Sequence, residues 1–134
     1  MPEHAGPFRA DALAPTTYAH GIALPADGRM ILLAGMSPLD ASGAVVAPGD
    51  VTEQMRVTVQ NARTVLRHAG ADLDSIVRAR IYIASAERAE LYAGWQAFTG
   101  IFDGSEFPST LVGVTVLAYP DQLVEVEFDA IVPR

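Results

Sequence analysis

Acidic side chains occupy every second position of the last apolar stretch of the sequence. Glu125, Glu127 and Asp129 alternate with apolar residues between 123 and 132, so a strand there carries all three carboxylates on one face. Paired carboxylates act as general acid and base when a cleft partly excludes water. The same spacing also fits a solvated or ion-paired strand face. The spacing alone leaves both interpretations open.

Other side chains with catalytic potential are few. The histidines, His4, His20 and His68, are far apart and lack metal-ligand spacing, so we expect no metal site. His20 follows Tyr18 closely; we interpret it as structural, with a place in a cleft as the alternative. The chain has no cysteine, and all nine basic residues are arginines. These absences exclude a thiolate nucleophile, a Schiff-base lysine and a phosphate-loop lysine.

Charge and hydropathy narrow the choice of partners. The formal net charge of -7 disfavours nucleic acid, because affinity for nucleic acid comes largely from basic side chains that neutralise phosphates. No apolar run approaches the roughly 20 residues that a membrane span requires. The first 14 residues lack the apolar stretch of a secretory signal. We therefore expect a cytoplasmic protein with neither a nucleic-acid nor a membrane partner.

Two stretches have the three- and four-residue apolar spacing of helices. The first begins after Asp50, which we predict as an N-cap with Glu53 completing a capping box, and ends at Gly70. The second is predicted over 86–102 with Ser85 as its cap. Residues 1–14 are predicted to form a loose N-terminal arm, and residues 15–134 a single domain.

Five stretches are predicted as strands: 16–22, 30–36, 76–83, 109–116 and 123–132. The apolar run 30–36 predicts a strand buried on both sides. In 76–83, alternation predicts one face with Val77 and the other with Ile76, Arg78, Arg80 and Tyr82. The order β-β-α-β-α-β-β predicts an α+β fold, a mixed sheet with both helices packed on one face.

One face of such a sheet has no helix to cover it. The arginines of the third strand and the carboxylates of the last strand lie on that face together with apolar residues. Packing against copies of the chain would bury the apolar side chains and bring the arginines near the carboxylates. We therefore expect the protein to oligomerise.

Several segments, in this order, resemble the Rid family of reactive-intermediate deaminases, also called the YjgF family. The resemblance covers about 18–132 and includes these segments: Thr17-Tyr18-Ala19-His20-Gly21, Leu33-Ala34-Gly35-Met36-Ser37-Pro38, Arg67-His68-Ala69-Gly70-Ala71, Asp74-Ser75-Ile76-Val77, Phe107-Pro108-Ser109-Thr110-Leu111-Val112 and Leu123-Val124-Glu125-Val126-Glu127. It implies the chorismate-mutase-like fold of that family and a homotrimer whose sheets line an inner barrel. Three ligand clefts would lie between the subunits.

The resemblance also implies roles for particular residues. Family members of the best-known subfamily hydrolyse imines and enamines to 2-oxo acids and ammonia, without a cofactor. By position, the family's catalytic glutamate falls on Glu125, its cleft tyrosine on Tyr18 and its backbone glycine on Gly35. An asparagine of the second helix falls on Tyr92. The arginine that clamps the substrate carboxylate falls on Thr110, a residue that cannot form a bidentate ion pair.

Two functions follow from this mixture of retained and lost features. The first is a Rid-type hydrolase or deaminase for a small imine, enamine or related metabolite, with Glu125 as acid/base and Tyr18 and Thr110 as hydrogen-bonding residues. Arg80 or Arg78 would then replace the missing arginine, or the substrate would lack the carboxylate. The alternative is a trimer that binds a small metabolite or regulates a partner without turnover. The sequence identifies neither the substrate nor the pathway.

Overall fold

The computed structural model describes residues 5–133, which form two helices and six strands. In chain order the elements are β1 (Gly6–Phe8), β2 (Gly21–Ala23), β3 (Arg29–Leu32), α1 (Val51–His68), β4 (Ile76–Ala84), α2 (Arg88–Ile101), β5 (Ser109–Val114) and β6 (Val124–Val132). A short 3-10 turn, Leu73–Ser75, precedes β4. The loop over 39–50 contains only an isolated bridge between Leu39 and Val45.

The main sheet has the strand order β3-β6-β4-β5 and is mixed. Only β4 and β5 run parallel; β6 is antiparallel to both of its neighbours. Helix α1 packs against β6, and α2 packs against α1, β4 and β5. This arrangement confirms the prediction of an α+β fold with both helices on one face of a mixed sheet.

Local sequence signals explain the ends of α1. The Asp50 side chain accepts a hydrogen bond from the Glu53 backbone N–H, as predicted for an N-cap. Glu53 does not complete a capping box, because its carboxylate pairs with Arg56 instead. After His68 the chain leaves the helix through Gly70, whose φ of +83° favours glycine.

The core lies between the helices and the covered face of the sheet. Strand β6 supplies Val124, Val126, Phe128 and Ala130, all fully buried, which confirms its alternating pattern. The aromatic rings of Phe98, Phe102, Phe107 and Phe128 pack against one another beneath α2. The opposite side chains of β6 are the three carboxylates, which therefore share one face as the sequence predicts.

Two strand predictions were wrong in detail. Strand β3 is an edge strand and is not buried on both sides: Met30 is 47% exposed and Leu32 is 70% exposed, while Ile31 alone is buried. In β4 a bulge between Ile76 and Arg78 turns Ile76 into the core opposite Ala130, so Ile76 does not share a face with Arg78.

The helix and strand ends also differ from prediction in places. Helix α2 begins at Arg88, and Ser85 accepts a hydrogen bond from the Glu87 N–H just before the helix. Strand β1 pairs with β2, so Gly6–Phe8 is a strand and not part of a loose arm, as the prediction for 1–14 had it. Residues 1–4 of that arm, which include His4, lie outside the described residues.

The sheet face opposite the helices, here called the uncovered face, carries side chains from four strands: Met30 and Leu32; Arg78, Arg80 and Tyr82; Thr110 and Val112; and Glu125, Glu127 and Asp129. It combines exposed apolar groups with opposite charges. None of the helices described within 5–133 is long and apolar enough to cross a membrane.

Candidate functional site

The carboxylate of Glu125 lies directly over the backbone of Gly35. A Cβ atom added to Gly35 would be 2.7 Å from Glu125 Oε2 and 2.8 Å from Cδ, so only glycine leaves room for the carboxylate in this position. The Gly35 segment is fixed to β6 because the Met36 N–H donates to the Val126 carbonyl at 2.7 Å and the Val126 N–H donates back at 3.0 Å. The structure therefore brings two predicted site residues together.

A hydrogen-bond chain leads to the same carboxylate. The buried Gln122 donates from Nε2 to Ser37 Oγ at 2.9 Å and to the Val124 carbonyl at 2.9 Å. Because Ser37 Oγ accepts from Gln122, its own hydrogen is available for Glu125 Oε1 at 3.4 Å. The side-chain amide of Asn61 on α1 donates to the backbone carbonyl groups of Ser37 and Leu39, which fixes this loop. We call Gly35, Ser37, Gln122 and Glu125 the acid half-site.

The other two carboxylates of β6 are bound to neighbours on β4. Asp129 accepts from Arg78, with Nη2 at 2.8 Å and Nε at 3.0 Å from Oδ2. Glu127 accepts from the Tyr82 hydroxyl, and this hydrogen bond raises the pKa of Tyr82. Among the described residues, Glu125 differs from Glu127 and Asp129 in forming no salt bridge.

A second cluster of side chains forms a groove beside β5. Its cavity of about 510 Å³ is lined by Tyr18, Ala19, His20, Arg78, Trp95, Pro108, Ser109, Thr110 and Leu111, and we call it the aromatic groove. The Tyr18 and Trp95 rings meet edge to face with centroids 6.1 Å apart, and Trp95 stacks on Phe98 behind it. The structure thus brings Tyr18 and Thr110 together.

The remaining predicted site residues lie on either side of this groove. Tyr92 is 62% exposed on α2 and lines an adjoining cavity of about 750 Å³ with Tyr18 and Trp95. Arg80 lies opposite Thr110 in the β4–β5 register. Its guanidinium is directed toward β6, where Nη1 is 3.7 Å from Glu127 and Nη2 is 3.7 Å from Asp129.

One chain does not bring the acid half-site and the aromatic groove together. Glu125 pairs with Tyr82 on β4, and Tyr82 pairs with Val112 on β5, two residues beyond Thr110. Two strand spacings and two residues along a strand separate the Cα atoms of Glu125 and Thr110 by about 12 Å. The two side chains therefore start from backbone positions two strands apart on the uncovered face.

Several residues of these clusters are not apparent from sequence patterns. Ser37 and Gln122 are 85 positions apart, and no spacing rule links them. Trp95 has the spacing of a core residue on α2, and its edge at the groove emerges only when Tyr18 packs against it. Within 5–133, no group of three or more His, Asp or Glu side chains is arranged to hold a metal ion.

Comparison with known proteins identifies the family of the chain. A family model described as endoribonuclease L-PSP matches residues 9–132. A RutC family protein of Pyrococcus abyssi is 30% identical over 105 residues, which cover 75% of this chain and 76% of that protein.

Solved structures give the same result. YyfB of Yersinia pestis, a protein of unknown function in the Rid family, superposes with a TM-score of 0.82 at 27% identity and covers 93% of this chain and 96% of its own. A Mycobacterium tuberculosis member of the YjgF/YER057c/UK114 family has a TM-score of 0.66 at 26% identity, with 86% of each chain covered. The fold therefore defines a protein of the YjgF type. The chain belongs to the Rid family.

Proposed function

We propose that this protein is a Rid-type hydrolase that deaminates a small imine, enamine or related metabolite in clefts between copies of the chain. The observation that carries the proposal is the position of Glu125. Its carboxylate lies over Gly35, accepts from Ser37 and has no basic partner among residues 5–133. A carboxylate held in this way is free to exchange a proton with water.

The separation of the two clusters supports a cleft between subunits. Because about 12 Å divides Glu125 from Thr110 within one chain, the partner of each acid half-site would be the aromatic groove of a neighbouring copy. Exposed Met30, Leu32 and Val112 on the uncovered face support such packing. We propose a homotrimer, in which each of three equivalent seams contains one complete cleft.

The proposed reaction consumes one water molecule and releases one ammonia. Glu125 takes a proton from the water as its oxygen bonds to the imine carbon and the C=N electron pair moves to nitrogen, and Glu125 passes this proton to the nitrogen to give a carbinolamine. Glu125 then takes the hydroxyl proton as the C=O bond forms and the C–N bond breaks, and it delivers that proton to the leaving nitrogen. Ammonia and a carbonyl compound result, and no cofactor is required. Tyr18 and Thr110 would orient the substrate through their hydroxyl groups.

Thr110 argues against ordinary 2-imino acids as the substrate. An arginine at this position would pair with a carboxylate through two hydrogen bonds, whereas a threonine hydroxyl donates only one hydrogen bond and carries no charge. Loss of such a contact costs about 2–5 kcal/mol when the charges are desolvated. The family model is described as an endoribonuclease. The net charge of -7 and the absence of lysine favour a small ligand over RNA.

A trimer that binds a metabolite or regulates a partner enzyme without turnover is the second candidate. Thr110 favours it, since the groove lacks a guanidinium at this position. The contacts of Glu125 also favour it, because its hydrogen bonds to Ser37 and Gln122 are long, 3.4 and 3.5 Å. Tight binding of a small ligand with no ammonia release from any imine would support this candidate.

Ammonia release distinguishes the two candidates. Enzymatically generated imines, some with and some without a carboxylate, are presented to the wild-type protein, to Glu125→Gln and to Glu127→Gln. Glu127 lies on the same strand and face, and its carboxylate is engaged by Tyr82, so it is a matched control. We expect Glu125→Gln to lose about 100-fold or more of the rate, and Glu127→Gln to retain it. Equal loss in both variants, or none in Glu125→Gln, would refute the proposed role of Glu125.

A further inference from the structure

Two cations of β4, two positions apart on the uncovered face, are candidates to replace the arginine absent from position 110. Arg80 is directed toward β6 and lies between the Glu127 and Asp129 carboxylates. Arg78 lines the aromatic groove together with Tyr18 and Thr110. The lining of the groove therefore favours Arg78 as the cation that a ligand in the groove meets.

Asp129 holds the Arg78 guanidinium in a defined orientation. Nε of Arg78 donates to Oδ2 of Asp129 at 3.0 Å, and Nη2 lies 2.8 Å from the same oxygen of this carboxylate, whose side chain is only 14% exposed. A guanidinium has five N–H groups, so this contact leaves at least three for another acceptor. The Arg78 side chain is 51% exposed, and a ligand can reach these groups. A fixed guanidinium loses little entropy when an anion binds.

His20 supplies a second donor at the same end of the groove. Its Nδ1 accepts the backbone N–H of Ala10 at 2.9 Å. In the neutral imidazole the proton is therefore on Nε2, which acts as a donor. His20 and Arg78 both line the aromatic groove, and both also line the adjoining cavity of about 380 Å³.

The geometry points to Arg78 and His20 as an anion-binding pair of the aromatic groove, which takes a small carboxylate with a flat, apolar body. The Tyr18 and Trp95 rings form the apolar wall for that body. Since this groove is the proposed substrate site, the assignment rests on the proposed function. The expected substrate then has a carboxylate, which binds to Arg78 of β4 and not to a residue at position 110 of β5.

Two probes of equal size test this assignment on the full-length protein. Phenylacetate and phenylacetamide have the same ring and differ in charge, and their affinities are measured by ligand-observed NMR titration. The wild-type protein is expected to prefer phenylacetate. Arg78→Gln is expected to weaken phenylacetate binding about tenfold, the scale of one charge-assisted hydrogen bond, and to leave phenylacetamide unchanged. Arg80→Gln, on the same strand and face, is expected to retain the preference.

Further variants keep the test decisive. His20→Asn keeps an acceptor for Ala10 but removes the Nε2 donor, and a smaller loss of phenylacetate affinity is expected. If Arg78→Gln does not fold, Arg78→Lys takes its place, since it keeps a charge beside Asp129 but lacks the guanidinium. A reduced preference in Arg78→Lys then supports the assignment. An unchanged preference overturns it, as does an equal effect of Arg80→Gln or a wild-type protein that binds neither probe.

Turnover separates this assignment from the proposed function. If ammonia release requires Glu125 but probe binding does not require Arg78, the assignment fails and the function stands. If probe binding requires Arg78 but no imine is hydrolysed, the assignment stands and the hydrolase proposal fails.

Discussion

Replacing Gly35 by alanine tests the arrangement of the acid half-site. The added Cβ would be 2.7 Å from Glu125 Oε2, whereas ordinary contact begins at about 3.4 Å, so the carboxylate must retreat by about 0.7 Å. Gly35 does not have a positive φ, and the backbone therefore accepts alanine. The atoms that clash belong to the end of a flexible side chain. Little stability should be lost, less than about 1 kcal/mol.

The effect on catalysis should be much larger than the effect on stability. A displacement approaching 1 Å of a catalytic group costs on the order of 100-fold in rate. Ammonia release and thermal unfolding are measured on Gly35→Ala and on Gly100→Ala. Gly100 is a helical glycine of α2 with nothing within 4 Å of an added Cβ, and alanine there should raise stability by about 0.5–1 kcal/mol.

Two results would refute this reasoning. Full activity of Gly35→Ala would mean that the carboxylate does not need its position over Gly35. A loss of activity that accompanies a large drop in the unfolding temperature would mean that the alanine disturbs the fold and not the site.

Three further changes have distinct expected outcomes. Ser37→Ala should lower kcat about tenfold with little change in KM, and Ser37→Thr should restore much of the lost kcat. A change in KM alone would contradict a role for the hydrogen bond from Ser37 to Glu125. In Asp72, hydrogen bonds from the Leu73 N–H and from two arginines lower the pKa from 3.8 to about 2. Because the folded pKa lies below the unfolded value, Asp72 stabilises the fold above about pH 4 and loses this effect as the pH falls toward 2. Asp72→Asn should therefore unfold at a lower temperature than wild type at pH 7, with a difference that shrinks near pH 2; a constant difference would contradict it. Gln54→Met should cost about 3 kcal/mol in urea unfolding, because it removes the three hydrogen bonds that the buried Gln54 side chain makes to partly buried backbone groups, and a cost below about 1 kcal/mol would show that these groups find other partners.

The elements with strong local signals were predicted well from the sequence. Asp50 and Gly70 mark the ends of α1, and strict alternation marks β6. The bulge at Ile76 was missed because Ile76 and Val77 are both apolar, so the pattern does not show where the alternation shifts. Strand β3 was predicted as buried because Met30 and Leu32 are apolar; an edge strand with exposed apolar side chains has the same pattern as an internal strand.

The acid half-site was predictable only in part. The resemblance to the Rid family identified Glu125 and Gly35 as site residues, since both belong to its motifs. Their support from Ser37 and Gln122 depends on side-chain contacts across 85 positions, which no periodicity encodes. The ion-pair partners of Arg78 and Arg80 could not be predicted from the sequence either. Alternation places both arginines on one face but does not show which carboxylate each side chain contacts.

Subunit mixing tests the central claim most directly, namely that Glu125 of one copy acts in the aromatic groove of another. Glu125→Gln is expected to be inactive because its acid half-site lacks the carboxylate, and Thr110→Trp is designed to be inactive because the indole fills the groove. In randomly mixed trimers about one quarter of the seams combine an intact Glu125 from one variant with an intact groove from the other. The account predicts that the mixture recovers about one quarter of the wild-type ammonia release. A mixture that assembles as the wild type does and remains inactive would contradict it.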